Sequence, residues 1–232
     1  MDLKLDKIYN IDCADGLQKL PQGYKYCIVT DPPFNIGYHY NEYKDRMDEG
    51  EYYKWLAKLI GDLPCVIIHY PESLYKLSFT MQRFPTKVLS WCYNSNTPKQ
   101  HRDIAFFGIK PDMSKVKQPY KNPNDKRIRE RIANGSKGAS IYDWMVINQV
   151  KNVSKKDFNG TKHPCQMPEE VMRRIVGVIP DDCVILDPFV GSGTTAVAAI
   201  ANKKHFIGFE LNEQYAKMAE HRIYGTKLTD DL

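Results

Sequence analysis

The turn Asp187-Pro188-Phe189-Val190-Gly191-Ser192-Gly193-Thr194-Thr195 stands between a buried-strand pattern, Val184-Ile185-Leu186-Asp187, and a run of small helix formers, Thr194 to Ala201. That placement limits the fold more than any other feature of the chain. Gly191 and Gly193 permit a tight turn and let a ligand approach the backbone closely. The amides that open the following helix offer hydrogen-bond donors to a polar group. The next apolar run ends at Phe209-Glu210, where an acid is positioned to accept hydrogen bonds from both hydroxyls of a ribose. Thr194 and Thr195 stand where a dinucleotide fingerprint carries its third glycine, which disfavours NAD. A nucleoside triphosphate loop of the GxxxxGK[ST] type is also missing from the sequence.

Around this turn, short β-rich runs alternate with helical patterns, which points to a mostly parallel sheet with helices on both faces. The expected strands are Lys7–Asn10, Cys27–Thr30, Cys65–His69, Val88–Cys92, Ile104–Gly108, Cys183–Asp187 and Phe206–Phe209. The expected helices are Ala14–Leu20, Glu49–Ile60, Glu72–Arg83, Glu169–Val178, Thr194–Ala201 and Glu213–Ile223. No helix separates Val88–Cys92 from Ile104–Gly108, so these read as an antiparallel hairpin at a sheet edge. With 232 residues, 42% of them hydrophobic, one α/β domain with a modest insertion is the natural size. The alternation breaks over residues 110–162, a polar, basic insertion in which Ile141–Ile147 reads as one further strand. Residues 225–232 read as a frayed tail.

A second motif, Asp31-Pro32-Pro33-Phe34, follows the apolar run Tyr26–Thr30. It suits the chemistry of an exocyclic amino group, whose lone pair is delocalised into an aromatic ring. Acceptors that hold both N–H bonds pull such a nitrogen toward tetrahedral geometry. Asp31 brings a carboxylate, and Pro32 brings a carbonyl on a backbone stiffened by two prolines. Phe34 brings a ring on which an extruded base can stack. A direct transfer to nitrogen then depends on positioning and electrostatics, with no covalent enzyme intermediate.

Charge is uneven. The chain carries +5, while residues 110–137 hold nine Lys and Arg against three acids, a net +6. The whole excess therefore lies in this segment, which favours a phosphate-contacting surface centred on Lys126, Arg127, Arg129 and Arg131. The six cysteines form no CxxC pair and read as reduced, mostly buried thiols of a cytoplasmic protein. The histidines form no metal-ligand pattern, so no metal is expected. No apolar run approaches the ~20 residues of a membrane span, and MDLKLDKIYN lacks a secretory core.

Together the motifs resemble the β class of S-adenosylmethionine-dependent DNA amino-methyltransferases, in which the catalytic half precedes the cofactor half. Asp187–Thr195 is similar to that family's DPFxGSGTT loop, and Gly208-Phe209-Glu210 with Tyr215 to its ribose-binding strand end. Thr161–Pro168 resembles the family's HPTQKP segment, with Cys165 and Met167 in place of Thr and Lys. Ile11-Asp12-Cys13 resembles its adenine-contacting turn, and Asp12 also reads as a helix N-cap. The resemblance extends through Asn35–Gly37, Tyr43–Asp45 and Tyr52–Leu56.

The resemblance implies a Rossmann-like, seven-stranded sheet within a single methyltransferase domain, residues 1–232. Asp31, Pro32, Pro33 and Phe34 would be catalytic. Asp12, Cys13, His163, Pro164, Gln166, Asp187, Phe189, Gly191, Gly193, Thr194, Thr195 and Glu210 would hold S-adenosylmethionine. The resemblance does not cover residues 111–140; the charge of the insertion 110–162 is what marks it as the expected reader of double-stranded DNA, and Tyr38, Tyr40 and Tyr43 with Asn35 and His39 read as a loop that could close on a flipped base. The head aspartate is the commoner form in adenine enzymes, so N6-adenine methylation in a prokaryotic or phage-type restriction–modification setting is the expectation. N4-cytosine methylation and a silent DNA-binding subunit are the alternatives. Dimers occur in the class.

Overall fold

The computed structural model describes residues 2–37, 39, 40, 43, 44, 46–150 and 166–230. In chain order the strands are β1 (Lys7–Asn10), β2 (Lys25–Thr30), β3 (His39–Tyr40), β4 (Tyr43–Lys44), β5 (Cys65–His69), β6 (Lys87–Cys92), β7 (His101–Phe107), β8 (Lys117–Gln118), β9 (Ala139–Ser140), β10 (Trp144–Val146), β11 (Cys183–Asp187) and β12 (Phe206–Glu210). The helices are α1 (Cys13–Leu17), α2 (Glu49–Ile60), α3 (Pro71–Met81), α4 (Lys126–Ala133), α5 (Glu169–Gly177), α6 (Thr194–Ala201) and α7 (Glu213–Asp230).

Eight strands form one sheet in the order β1-β12-β11-β2-β5-β7-β6-β10. Only β7 runs against its neighbours; every other pairing in this sheet is parallel. The architecture is the expected one, with one correction to the count and one to the edge. The run expected over Ile141–Ile147 contributes β10, which pairs in parallel outside β6. The β6–β7 hairpin therefore lies one strand in from the edge. Met145 is buried there, and the indole of Trp91 donates to the Ile147 carbonyl at 2.7 Å. Those contacts outweigh the shortness of a three-residue strand.

The central strands are apolar on both faces because both faces are covered. All five residues of β5 are buried, as are five of the six in β2. One face packs Ile8, Cys27, Val29, Val66 and Ile68 beneath α5, α6 and α7. The other packs Tyr26, Ile28, Cys65, Ile67 and Leu186 beneath α2 and α3. α2 starts at Asp48, whose carboxylate accepts from the amides of Gly50 and Glu51, and stops at Gly61 with φ 55°. α6 starts at Gly193 with φ 82°, where a Cβ would lie 2.9 Å from that of Ala219, so close packing on α7 requires glycine.

Two further expectations change. α4 lies in the insertion where no helix was expected. α7 continues to Asp230, past the expected end at Ile223 and through part of the expected tail. No described helix is long and apolar enough to cross a membrane.

From β11 the chain moves to β12 and the sheet ends at β1, while from β2 it moves the other way through β5. The order thus reverses between β11 and β2. In open α/β sheets the crevice at the carboxyl ends of such strands is where ligands bind. β2 ends at Thr30, just before Asp31; β11 ends at Asp187, which opens the glycine turn.

Candidate active site

The two strand ends are joined by side chains. The Thr30 hydroxyl donates to Asp187 Oδ1 at 2.6 Å, and the Phe189 amide donates to the same oxygen at 3.0 Å. Burial pushes the Asp187 carboxyl above its ordinary pKa, and these donors oppose that shift. Asp187 borders the crevice, but its described bonds hold the turn in shape.

On the glycine side, the Gly191 amide donates to Glu210 Oε2 at 3.0 Å and the Asn212 amide to Oε1 at 2.8 Å. The two bonds fix the plane of the carboxylate. A carboxylate has about four lone-pair sites, so acceptor capacity remains for two hydroxyls. Burial raises its pKa, and the amide bonds lower it. Arg222 of α7 braces the turn: Nη1 donates to the Ser192 carbonyl at 2.6 Å, and Nη2 to Glu169 Oε1 at 2.8 Å. Across the crevice Asp12 caps α1, its Oδ1 accepting from the Ala14 amide at 2.8 Å. Burial, with the Asp12 charge beside it, pushes the Cys13 thiol up to about 12. That thiol is no nucleophile at neutral pH.

On the proline side, Asp31 is paired with Arg102, whose Nη1 stands 3.2 Å from Oδ2 and 3.5 Å from Oδ1. Burial, with Asp187 adding to it, pushes the Asp31 carboxyl up to about 6; Arg102 acts in the opposite sense. Phe34 lies between rings, its centroid 4.5 Å from His69 and 5.2 Å from Tyr70. The backbone here is locked by a relay. The Tyr70 amide donates to His69 Nδ1 at 2.8 Å, so the ring's proton sits on Nε2, 3.3 Å from the Tyr52 hydroxyl. Tyr52 donates in turn to the Pro33 carbonyl at 2.5 Å. Burial, with the nearby Arg102 charge, lowers the His69 pKa to about 3, which keeps the ring neutral.

One cavity of about 360 Å³ joins the two sides. Its walls include Asp31, Pro32, Pro33 and Phe34 at one end, and Asp12, Cys13, Gly191 and Glu210 with Asp187, Phe189, Thr194 and Thr195 at the other. Gly193 and Gln166 do not line it; Gly193 instead packs against α7. His163, Pro164 and Cys165 lie outside the described residues, as do Tyr38 and the side chains of Tyr40 and Tyr43. The cysteines are less buried than expected: Cys27 and Cys65 are buried, while Cys13, Cys92 and Cys183 are half-buried.

Arg102 and Tyr70 also line the cavity and belong to none of the motifs; Trp55, inside the Tyr52–Leu56 run but given no role there, lines it too. Trp55 packs on Phe189 with ring centroids 5.7 Å apart. Lys126, Arg127, Arg129 and Arg131 line no part of it; they are exposed on α4, a helix with no buried residue. Among the described residues no group of three His, Cys, Asp or Glu is arranged to hold a metal ion.

A Rossmann-type sheet with a glycine turn and strand-end acid on one side of the switch point, and an acid–proline–aromatic cleft on the other, defines an α/β enzyme of the methyltransferase class. The N6/N4 methyltransferase family model, described as a DNA methylase, matches residues 72–221, and the chain belongs to that family. It is 27% identical to the type II methyltransferase M.BglII of Bacillus subtilis, over 95% of this chain and 69% of that protein. It is 28% identical to the DNA adenine methyltransferase YhdJ of Escherichia coli (strain K12), over 91% of this chain and 80% of that one. Among solved structures, the cytosine-N4-specific PvuII DNA methyltransferase superposes with a TM-score of 0.64 at 17% identity, covering 94% of this chain and 90% of that one. The M1.HpyAVI–SAM complex does so with a TM-score of 0.57 at 19% identity, covering 94% and 98%. At these identities the likeness is one of fold.

Proposed function

We propose that this chain transfers a methyl group from S-adenosylmethionine to the exocyclic amino nitrogen of a base flipped out of double-stranded DNA, and that the base is adenine, methylated at N6. The single observation that carries the reading is the continuous cavity joining Glu210 and the glycine turn to Asp31 and Phe34. Family membership supports amino methylation of DNA. Its solved relatives include a complex with SAM, and the residues of this chain suit that cofactor. Glu210 keeps acceptor capacity for ribose hydroxyls, Asp12 faces the same space, and Ile11, Phe189 and Leu211 give apolar walls for a purine ring.

When bound, S-adenosylmethionine supplies a methyl group activated by its sulfonium charge. The rest belongs to the protein. Phe34 stacks the flipped base. Asp31 accepts one N–H of the amino group, and the Pro32 carbonyl accepts the other. The Pro33 carbonyl is already engaged by Tyr52, and that bond holds the dipeptide rigid. As nitrogen gains the methyl group it gives up one proton, and Asp31 takes it. Adenine is favoured over cytosine by the aspartate at the head of the motif and by the adenine activity for which YhdJ is named. Residues 110–162 act as the target-recognition region, with α4 meeting phosphates. The type II relatives support a restriction–modification role.

The test is incubation with methyl-labelled cofactor and mixed-sequence DNA, followed by mass analysis of the nucleosides. N6-methyladenine carrying the label is the expected product. Labelled N4-methylcytosine would overturn the choice of base, and an unlabelled nucleoside pool would overturn the activity.

A further inference from the structure

Arg102 is the cation on which the base-facing end of the cavity is built. It enters near the start of β7, opposite Trp91 of β6. Its guanidinium carbon lies 4.5 Å from the Phe34 centroid and 5.4 Å from that of Trp91. The side chains of Arg102 and Asp31 are only 14% and 16% exposed. The guanidinium carbon also lies 5.9 Å from the Tyr93 centroid. Arg102 Nε is buried and meets no partner among the described residues. A guanidinium held this tightly, with one donor left unmatched, needs a reason.

The reason lies in the surroundings of Asp31. Asp187 reaches it from β11 and opposes its charge. The Tyr93 phenol that follows β6 is neutral, its own pKa raised by burial. His69 on β5 is neutral and gives no help. Among the described residues, Arg102 is the charge that favours an ionised Asp31. A buried carboxylate without such a partner takes up a proton, and the neutral carboxyl is then a weaker acceptor that cannot take the proton the amino group releases. The contacts at 3.2 and 3.5 Å are longer than the ~2.7–2.9 Å of a saturated charge-assisted bond. They hold both oxygens from one side and leave lone pairs for a second donor.

We propose that Arg102 is a positioning residue for the methyl-transfer reaction: it keeps the Asp31 carboxylate charged and fixed in one orientation, and acts through Asp31 without touching the reacting atoms. This rests on the reading of Asp31 as the acceptor for the target amino group. The Phe34, Trp91 and Tyr93 side chains hold the guanidinium in place. Arg102 belongs to none of the motifs that define the site.

Arg102→Gln and Arg102→Met remove the charge, and Arg102→Lys keeps it. The rate of methyl transfer in each is followed from pH 5 to 9, and the Asp31 carboxyl is titrated by ¹³C NMR, its signal assigned with Asp31→Asn. In the parent protein both midpoints fall near pH 6. In the Gln and Met variants both rise by about one unit or more, so that at pH 6 the rate is about a tenth of its high-pH plateau instead of about half. The Michaelis constants for DNA and cofactor stay within about threefold of the parent's, a split that a packing defect would not give. The Lys variant holds the midpoints within about half a unit of the parent's. An NMR midpoint unmoved in both neutral variants overturns the proposal, whatever happens to the rate. If Asp31→Asn stays fully active while the NMR midpoint still moves, the acceptor reading fails, and the control of Asp31 by Arg102 stands as electrostatics alone.

Discussion

Thr30 and Asp187 share a 2.6 Å hydrogen bond that spans the switch point, tying the end of β2, and with it Asp31, to the turn that opens the cofactor side. With the β2–β11 ladder, this bond fixes the two strand ends relative to one another. Thr30→Val keeps the shape of the side chain and removes the donor from a buried carboxylate. A loss of about 1–3 kcal/mol is expected, and a Tm lower by about 2–4 °C for each kcal/mol in a chain of this size. A Tm equal to the parent's would show that the Phe189 amide suffices to hold Asp187.

Glu210→Ala removes the acceptor pair at the end of β12. The amides of Gly191 and Asn212 lose their partner, and a ribose diol would meet no acceptor there. Cofactor affinity measured by calorimetry should weaken by about 1–3 kcal/mol, roughly 5- to 150-fold. DNA binding without cofactor should be unchanged. Unaltered cofactor affinity would assign Glu210 to the turn's structure alone.

Phe34→Ala should act on the flipped base and spare the duplex. A stacking platform contributes about 1–3 kcal/mol per base. The expected result is a drop in kcat/KM of that size, with affinity for DNA lacking the target base unchanged. Phe34 also packs on His69 and Tyr70. A fall in stability with kcat/KM preserved would make it a core residue.

Activity should fall on the acid side with a midpoint near pH 6. Burial raises the Asp31 pKa to about 6. The role assigned to Asp31 needs the ionised form, so activity is full well above that pH and lost below it. At pH 5 the rate should be about a tenth of that at pH 7.5. A flat profile down to pH 5 would contradict an ionised Asp31 in the reaction.

Neutralising Lys126, Arg127, Arg129 and Arg131 together should weaken binding to all DNA sequences. The slope of log affinity against log salt should flatten by about 1 for each phosphate that the variant no longer neutralises. All four side chains are exposed on α4 and away from the cavity, so cofactor binding should survive. Unchanged DNA affinity at every salt concentration would make α4 a solvated surface helix.

What the sequence made legible was local. Strand, glycine turn, helix and strand-end acid are contiguous, so the cofactor side could be read from residues 184–210 alone, and the chemistry of Asp31–Phe34 is carried by four adjacent residues. Arg102 was not legible, because 71 positions separate it from Asp31 and their meeting depends on the antiparallel pairing of β7 with β5. The expected strand began at Ile104, which left Arg102 in a turn; the ladder with β6 starts at His101. The run Ile141–Ile147 was legible as a strand but its place beside β6 was not, because β10 has only three residues and its stability comes from the packing of Met145 and the hydrogen bond of Trp91. α4 was missed for the opposite reason. Its short apolar stripe, Ile128 half-buried and Ile132 exposed, packs into no core, and it rests on the Asp125 cap and on helix-favouring charged residues.

Asp31→Ala tests the central claim most directly: one cavity with separate duties at its two ends. The same purified variant is taken through cofactor calorimetry and a methyl-transfer assay on DNA. Cofactor affinity should match the parent's within about twofold, while kcat falls by about 10²–10³-fold or more, as the loss of a transition-state acceptor requires. Methyl transfer near the parent rate, or a loss of cofactor binding as large as the loss of rate, would contradict the account.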